Sequence, residues 1–155
     1  LPISEEMKVR TYRETDEDAV LDLWERAGIA RPWLDLRAEI HEKRKRDPML
    51  FLVVGADRPK GTTGPGVILG SVMGAYDGRR GWVYHLAVEP DHQGQGIGRA
   101  LMAELETRMV AQGVRKLNLQ VRADNVGVAA FYEKLGYADE HLTSFGKWLK
   151  PPDRG

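Results

Sequence analysis

Residues 82–98 read WVYHLAVEPDHQGQGIG, an apolar run that leads through an acidic turn into a glycine-rich loop. The first part, Trp82–Val88, has the length and composition of a buried strand. Glycines at positions 94, 96 and 98 let backbone N–H groups form a concave nest, and a helix that follows adds its positive dipole end. The stretch therefore predicts a phosphate or pyrophosphate site. An ordinary strand–helix turn without a ligand is the alternative on spacing alone.

Better-known catalytic and nucleotide-binding patterns do not fit. A dinucleotide fingerprint counted from Gly94 needs its third glycine at position 99, which is Arg99. A P-loop needs Gly-Lys followed by Ser or Thr, and this triplet does not occur in the sequence. The Gly-x-Ser-x-Gly motif of many hydrolases is also missing.

Apolar periodicity around the loop predicts alternating strands and helices. The predicted strands are 8–13, 49–55, 67–76, 82–88 and 116–122, with one or two more in 137–149. The predicted helices begin near positions 15 and 35, after the glycine loop, and at 125, and they end near 28, 46, 113 and 136. The Gly-, Pro- and Thr-rich stretch 56–66 is expected to be a mobile connection. We predict an α/β fold with a single domain over 8–150, between tails 1–7 and 151–155.

The composition narrows the classes of function. A chain of 155 residues suits one domain, and 23 Lys and Arg balance 23 Asp and Glu, so no overall field attracts nucleic acid or an acidic membrane. No apolar run approaches the ~20 residues of a membrane-spanning helix, and the N-terminus lacks the order of a signal peptide. We therefore expect no nucleic-acid partner, no membrane association and a cytoplasmic location.

Residue types also bear on metals and covalent chemistry. The absence of cysteine excludes disulfides, a Cys-type zinc site and an acyl-cysteine intermediate. The four histidines are scattered, without the spacing or neighbouring carboxylates of a metal site, so we expect no metal. The basic run Lys43–Arg46 is expected to be the solvated face of its helix.

Two motifs, the glycine-rich loop 93–98 and a second one formed by Asn125 and the run 129–137, together resemble the GNAT superfamily of acetyl-CoA-dependent N-acetyltransferases. Gln93-Gly-Gln-Gly96-Ile-Gly98 is similar to its pyrophosphate motif, Gln/Arg-x-x-Gly-x-Gly/Ala. Asn125 and the run Ala129-Ala-Phe-Tyr-Glu-Lys-Leu-Gly-Tyr137 are similar to its second motif. The resemblance covers about Lys8 to Leu149 and looks closest to the YpeA-like branch, through Leu23-Trp-Glu-Arg26, Arg31-Pro-Trp33 and Tyr76-Asp-Gly78.

The resemblance implies a GNAT fold with a mixed, mostly antiparallel central sheet, in which parallel strands 4 and 5 splay apart between flanking helices. Acetyl-CoA would enter this gap and pair with exposed backbone as an added strand. Asn125 would contact it near the thiol end. The other cofactor-binding residues would be Leu86, Ala87 and Val88 for the pantetheine, and Gln93, Gly94, Gln95, Gly96, Ile97, Gly98 and Arg99 for the diphosphate.

Tyr132 matches the position at which many relatives place a general acid for the departing thiolate, next to the cofactor. A core tyrosine on an amphipathic helix is the alternative for this residue. The backbone N–H of Leu86 or Ala87 is expected to stabilise the oxyanion, again by resemblance.

The general base is left open by the sequence. Some relatives use a glutamate at a position that aligns with Trp82, so Tyr84, His85, Glu89 and Asp77 are the candidates. Imidazole titrates near neutral pH, but alternation along the strand predicts that His85 faces away from Tyr84. We therefore rank Tyr84 first.

Acceptor recognition is expected from the connection between the first two helices and from the hairpin at 76–82. The candidate residues are Arg31, Trp33, Tyr76, Asp77 and Trp82. We predict an N-acetyltransferase that uses direct attack in a ternary complex on a small amine or amino-acid-like acceptor. A protein N-terminal or lysine acetyltransferase and a non-catalytic acyl-CoA-binding module are the alternatives, and homodimer formation is left open.

Overall fold

The apolar runs of the sequence pair into one five-stranded sheet in the computed structural model, which describes residues 7–56, 61 and 66–152. The strands lie side by side in chain order, the first four antiparallel and the fifth parallel to the fourth. They are β1 (Val9–Thr11), β2 (Phe51–Ala56), β3 (Val67–Tyr76), β4 (Gly81–Val88) and β5 (Leu117–Asn118). The predicted class, a mixed and mostly antiparallel sheet with helices, is confirmed.

The described residues form four α-helices: α1 (Glu17–Arg26), α2 (Leu36–Arg46), α3 (Ile97–Ala111) and α4 (Val126–Lys134). The chain forms two units, Leu1–Leu119 with the sheet and α1 to α3, and Gln120–Gly155 with α4. The single domain over 8–150 stays a prediction. The predicted tails and the connection 56–66 lie mostly outside the described residues. No helix in the described part of the chain combines the length and apolar character needed to cross a membrane.

Helices α1 and α2 cover one face of the sheet in the first unit. Trp24 of α1 and Ile40 of α2 are fully buried there, and Trp24 stacks on Phe51 of β2 with ring centroids 6.2 Å apart. The indole Nε1–H of Trp24 donates to Oγ of Ser71 on β3 at 2.8 Å, and both side chains are fully buried. This bond fixes α1 against the centre of the sheet.

Removing that acceptor should destabilise the fold. Ser71→Ala leaves the buried indole N–H without a partner, so we expect the free energy of unfolding to fall by about 1–3 kcal/mol. Denaturant unfolding measures the change. Ser144→Ala, at an exposed hydroxyl bonded to Gln120, serves as the control and should change stability by less than about 0.5 kcal/mol. Equal stabilities for the two variants would contradict this role of Ser71.

Helix α3 covers the opposite face and lies very close to β3. A Cβ on Gly70 would stand 2.6 Å from Cγ2 of Ile97, and one on Gly74 would stand 2.7 Å from Cδ1 of Leu105. Only glycine permits this approach at Gly70, because Ile97 is buried and β-branched. The close packing holds the N-terminus of α3 beside β3.

A partly buried ion pair holds the chain before α1. Asp16 directly precedes α1 but makes no capping bond to that helix. Its carboxylate instead accepts from both Nη atoms of Arg10, at 2.7 and 2.8 Å, and from the backbone N–H of Arg13 at 2.8 Å. Burial alone would raise the pKa of Asp16, but these bonds outweigh it and lower the pKa below its ordinary value.

The ladder between β3 and β4 contains a bulge at His85. Ser71 pairs with Ala87 and Met73 pairs with Tyr84, so β4 has one more residue than β3 between the two pairs. His85 takes up this extra residue with a φ of 49°, in the left-handed region. Strict alternation along β4 therefore stops at this position.

The bulge overturns the prediction that His85 faces away from Tyr84. The imidazole ring lies 5.1 Å from the ring of Trp24, on the face covered by α1. Tyr84 is paired with Met73, which packs in the same apolar cluster as Trp24. Both side chains therefore belong to one face of the sheet.

Two predicted strand regions differ in the structure. β5 covers only Leu117–Asn118 within the predicted 116–122, and its ladder with β4 ends after the pair Trp82 and Asn118, as expected for strands that splay apart. The strands predicted in 137–149 are wrong, since no described residue of that range belongs to a strand. Leu142 and Phe145 are 84% and 92% exposed, so their alternation finds no neighbouring strand or buried face.

Candidate active site

The glycine-rich loop joins β4 to α3 through a one-turn 3-10 helix, Pro90–His92. Gly94 and Gly96 have φ angles of 82° and 86°, and Gly96 directly precedes α3. Among the described residues, the first backbone N–H after Gly94 that has a backbone acceptor is that of Ala100, which donates to Gly96 at 3.0 Å. The N–H groups from Gly94 to Arg99 are therefore available at the positive end of a 15-residue helix.

This row of donors fits a diphosphate. A Cβ on Gly94 would meet no heavy atom within 4 Å, so there is open space beside this residue of the loop. Ile97 is buried and anchors the start of α3, whereas Gln93, Gln95 and Arg99 are exposed beside the donors. Backbone N–H groups and a guanidinium are the groups that bind phosphate oxygens at helix N-termini.

The second half of β4 offers an unpaired strand edge. β5 pairs only with Gly81 and Trp82, so within the described residues the stretch 83–88 has no strand partner on that side. This stretch contains Leu86, Ala87 and Val88, the predicted pantetheine contacts. Free backbone N–H and C=O groups can bind an extended ligand that carries amides.

Tyr84 lies on β4 with 47% of its surface exposed. Partial burial of the ring, and next the negative charge of Asp77, raise the pKa of Tyr84 above its ordinary value. The phenol therefore stays protonated at neutral pH. This direction is unfavourable for the role of general base, which the sequence ranked first for Tyr84.

Three of the five predicted acceptor-binding residues meet in the hairpin between β3 and β4. Oδ1 of Asp77 accepts from the backbone N–H groups of Arg79 and Arg80 at 2.8 and 2.7 Å, and Oδ2 accepts from Nε1 of Trp82 at 3.3 Å. These bonds, that of Arg80 foremost, lower the pKa of Asp77. The hydroxyl of Tyr76 donates to a carbonyl of the same turn. These bonds stabilise the turn of the hairpin. Because the pKa of Asp77 is lowered, its carboxylate is a weak base.

Other candidates from the sequence are engaged elsewhere in the first unit. Nη1 of Arg31 donates to the carbonyls of Gly28 and Ala30, which ties the guanidinium to its own connection between α1 and α2. Trp33 is half-buried in the same connection. Glu89, a candidate base, accepts from Nε of Arg26 at 2.7 Å.

The second unit holds the remaining predicted residues. Asn125 is the N-cap of α4, where its Oδ1 accepts from the backbone N–H of Val128 at 3.2 Å. Tyr132 is 8% exposed and meets the rings of Phe131 and Tyr137 edge-on, at 5.1 and 5.7 Å. Burial raises the pKa of Tyr132 to about 12. The phenol is therefore protonated at neutral pH and can donate a proton.

Sequence reasoning missed one charged residue beside the candidate site. Oε2 of Glu39 on α2 lies 3.3 Å from Nε2 of His85 on β4. Glu39 precedes the buried Ile40. Its place at the edge of the buried face of α2 was the only feature of the sequence that could have identified it as a site residue. Among the described residues, no group of three or more His, Asp or Glu side chains could hold a metal ion.

The mixed sheet, the splayed strands and the glycine loop that starts α3 define the class of acyl-CoA N-acyltransferases. The sequence profile of the Acetyltransferase (GNAT) family matches residues 11–137, and the chain belongs to this family. It is therefore a GNAT acetyltransferase, an enzyme of the acyl-CoA N-acyltransferase type.

Individual relatives agree with this assignment. An acetyltransferase of Pectobacterium atrosepticum is 44% identical over 143 residues, which cover 92% of this chain and 96% of that protein. The ribosomal-protein-S18-alanine N-acetyltransferase from Escherichia coli is similar with a TM-score of 0.66 and 28% identity, over 84% of this chain and 76% of that one. An aminoglycoside acetyltransferase from an uncultured soil metagenomic sample, with a TM-score of 0.72 and 19% identity over 96% and 100% of the chains, shares the fold. The YpeA-like branch stays a prediction.

Proposed function

We propose that this enzyme transfers the acetyl group of acetyl-CoA to a primary amine by direct attack in a ternary complex, and that the acceptor is a small amine or amino-acid-like molecule. The loop at 93–98 carries this proposal, because its N–H groups from Gly94 to Arg99 are free at the start of α3. Acetyl-CoA has a diphosphate for this loop and pantetheine amides for the free edge of β4. When bound, it supplies the thioester.

For Asn125, β4 and the glycine loop, we propose the cofactor contacts that the family resemblance implies. The amide nitrogen of Asn125 is left for the thiol end of the ligand, because its oxygen caps α4. Holding donor and acceptor side by side contributes several kcal/mol to lowering the barrier, roughly 7 or more in favourable cases. The proposed pantetheine contacts are Leu86, Ala87 and Val88, and the proposed diphosphate contacts are Gln93, Gly94, Gln95, Gly96, Ile97, Gly98 and Arg99.

The chemistry then requires an oxyanion donor and a proton for the departing thiolate. We assign the first role to the backbone N–H of Leu86 or Ala87. Tyr132 is our general acid, because its pKa of about 12 keeps the phenol protonated at neutral pH. Full proton transfer to a thiolate whose thiol has a pKa of about 8.5 is uphill, so we expect the phenol to assist departure mainly through a hydrogen bond to the sulfur. The hairpin residues Tyr76 and Trp82 would wall the acceptor pocket.

Tyr132→Phe should slow turnover by about 10- to 100-fold without abolishing it. A thiol has a pKa of about 8.5, so the thiolate can leave even unprotonated. The measurement is kcat at saturating acetyl-CoA and amine.

Tyr12→Phe is the matched control for this variant. Tyr12 is also buried, with its pKa raised to about 12 mainly by burial, but it stacks on Phe51 and has no proposed role in the reaction. Its kcat should equal that of the wild type. A wild-type kcat for Tyr132→Phe would remove Tyr132 from the mechanism.

A protein acceptor is the second candidate, favoured by the 28% identity to the ribosomal-protein-S18-alanine N-acetyltransferase. A panel of amines separates the candidates: lysine, ornithine, spermidine and tyramine against peptides with free N-termini, with release of free thiol from acetyl-CoA as the readout. We expect release with the small amines.

Other outcomes of the amine panel would indicate a different function. Thiol release with peptides alone would favour protein acetylation. No release with any amine, together with a higher unfolding temperature in acetyl-CoA, would indicate a non-catalytic binding module. No stabilisation by millimolar acetyl-CoA would contradict every function that depends on this ligand.

A further inference from the structure

His85 occupies an unusual backbone conformation at the centre of β4. Its φ of 49° is rare for a residue that carries a Cβ, and such conformations cluster at functional sites. The bulge turns the imidazole toward α1 and α2, with its ring 5.1 Å from that of Trp24. The next residue is Leu86, whose N–H is a proposed oxyanion donor. His85 therefore adjoins the place proposed for the thioester carbonyl.

Glu39 of α2 meets this imidazole. Oε2 of Glu39 lies 3.3 Å from Nε2 of His85, and the two side chains are 43% and 23% exposed, so a ligand can reach both. An ionised carboxylate only accepts hydrogen bonds, so Nε2 must carry the hydrogen. In the neutral ring Nδ1 then keeps its lone pair, and within the described residues it has no hydrogen-bond partner.

No cation of the surrounding elements neutralises this pair. Among the described residues, Glu39 forms no ion pair with Lys or Arg. Lys43, one turn further along α2, is bound to Asp47 and to the carbonyl of Gly74. The groups near His85 on this face of the sheet are Trp24 of α1 and Met73 of β3, which pairs with Tyr84, whose phenol is protonated. A neutral imidazole thus leaves a negative charge on Glu39.

We propose that Glu39 and His85 form the site for the acceptor amine, in which Glu39 attracts the ammonium group of a cationic alkylamine and His85 accepts its proton. This inference rests on the proposed acetyl transfer. It names the acceptor as a cation and supplies the base that the sequence left open.

In the proposed reaction the amine nitrogen exchanges two of its protons for the acetyl group. One proton moves from the ammonium to Nδ1 of His85, and the freed lone pair forms a C–N bond to the thioester carbonyl carbon. The C–S bond breaks and the sulfur leaves as thiolate. The second proton of the nitrogen reaches the sulfur by way of Tyr132, whose phenol gives its proton to the sulfur and regains one from the nitrogen. His85 then returns its proton to solvent. The products are an N-alkylacetamide, CoA thiol and one proton.

His85→Asn tests the proton acceptor. Asparagine tolerates a positive φ and can donate to Glu39, but it does not accept a proton at neutral pH. With the best alkylamine of the panel, we expect kcat to fall about 100-fold and the acid limb of the kcat/KM profile to disappear. The Kd for acetyl-CoA should stay at its wild-type value.

Glu39→Gln tests the ammonium site at an exposed position where folding is not at risk. We expect the KM for the alkylamine to rise about two- to fivefold, as for the loss of one exposed charge pair. Glu39→Asp, which keeps the charge, should recover part of this affinity.

His41→Asn is the matched control, because Nε2 of His41 lies 2.6 Å from Oε1 of Glu17 in a second His–Glu pair of the first unit. It should leave kcat, KM and the pH profile unchanged. An active wild type together with unchanged kinetics in both His85→Asn and Glu39→Gln would overturn this inference and leave the acetyl transfer standing. A wild type that releases no thiol with any amine would overturn both.

Discussion

Gly96→Val should raise the dissociation constant of acetyl-CoA by about 100-fold or more. Gly96 has a φ of 86°, which a β-branched residue cannot adopt without strain, so the loop must rearrange and its N–H groups turn away from the diphosphate. Hydrogen bonds to charged groups contribute about 1.5–3 kcal/mol each, and each 1.4 kcal/mol is about a factor of ten in affinity. The loss of two such bonds is enough for this change.

Gly113→Val is the control for backbone strain. Gly113 lies just past the other end of α3 with a φ of 90°, and its Cβ would meet nothing within 4 Å. Both variants should lose folding stability, but only Gly96→Val should lose acetyl-CoA binding in calorimetric titration. Equal affinities for the two variants would mean that the diphosphate does not bind at this loop.

Gly70→Val should lower the free energy of unfolding by about 3 kcal/mol, at the upper end of ordinary overpacking. Its Cβ would stand 2.6 Å from Cγ2 of Ile97 and 3.0 Å from Cδ1 of Leu101, and both of these side chains are buried. For a chain of this size, the unfolding midpoint should fall by roughly 6–12 °C.

The packing of α3 on β3 can also be tested by comparing the stability lost on alanine substitution at two strand glycines. A Cβ on Gly55 of β2 meets its nearest atoms at 3.6 and 3.7 Å, which is ordinary contact, whereas the one on Gly70 is far closer. Gly70→Ala should therefore cost clearly more stability than Gly55→Ala. Equal losses would show that α3 does not press on β3 as described.

Much of the first unit could be predicted from local sequence. The apolar run Val67–Tyr76 became β3 with the same bounds, because a continuous apolar strand needs burial on both faces. The glycine loop could also be read in advance, since glycine is required where φ is positive. Asp35 caps α2 through a bond from Ala38, close to the predicted start of that helix.

The bulge in β4 could not be predicted from the same pattern. Positive φ is uncommon even for histidine, which adopts it more often than most residues, and the extra residue is visible only once β3 and β4 are paired. The contact between Glu39 and His85 depends on that bulge and on how α2 lies over the sheet. For this reason the sequence ranked Tyr84 as the base, whereas the structure led us to propose His85.

The strands predicted in 137–149 do not form, for a related reason. The pattern in 137–149 alternates, but alternation produces a strand only where another strand offers a free edge. Leu149 is 92% exposed and Trp148 is 60% exposed, so no buried face formed there. Periodicity in a sequence therefore identifies strands reliably only when a pairing partner is available.

We propose that this chain transfers acetyl from acetyl-CoA to an amine nitrogen. The most direct test is mass spectrometry of a quenched reaction with the best amine of the panel, which counts N-acetylated amine against free CoA. We predict one N-acetylated amine for each CoA formed. CoA released without acetylated amine, or no CoA at all, would contradict acetyl transfer to an amine by this chain.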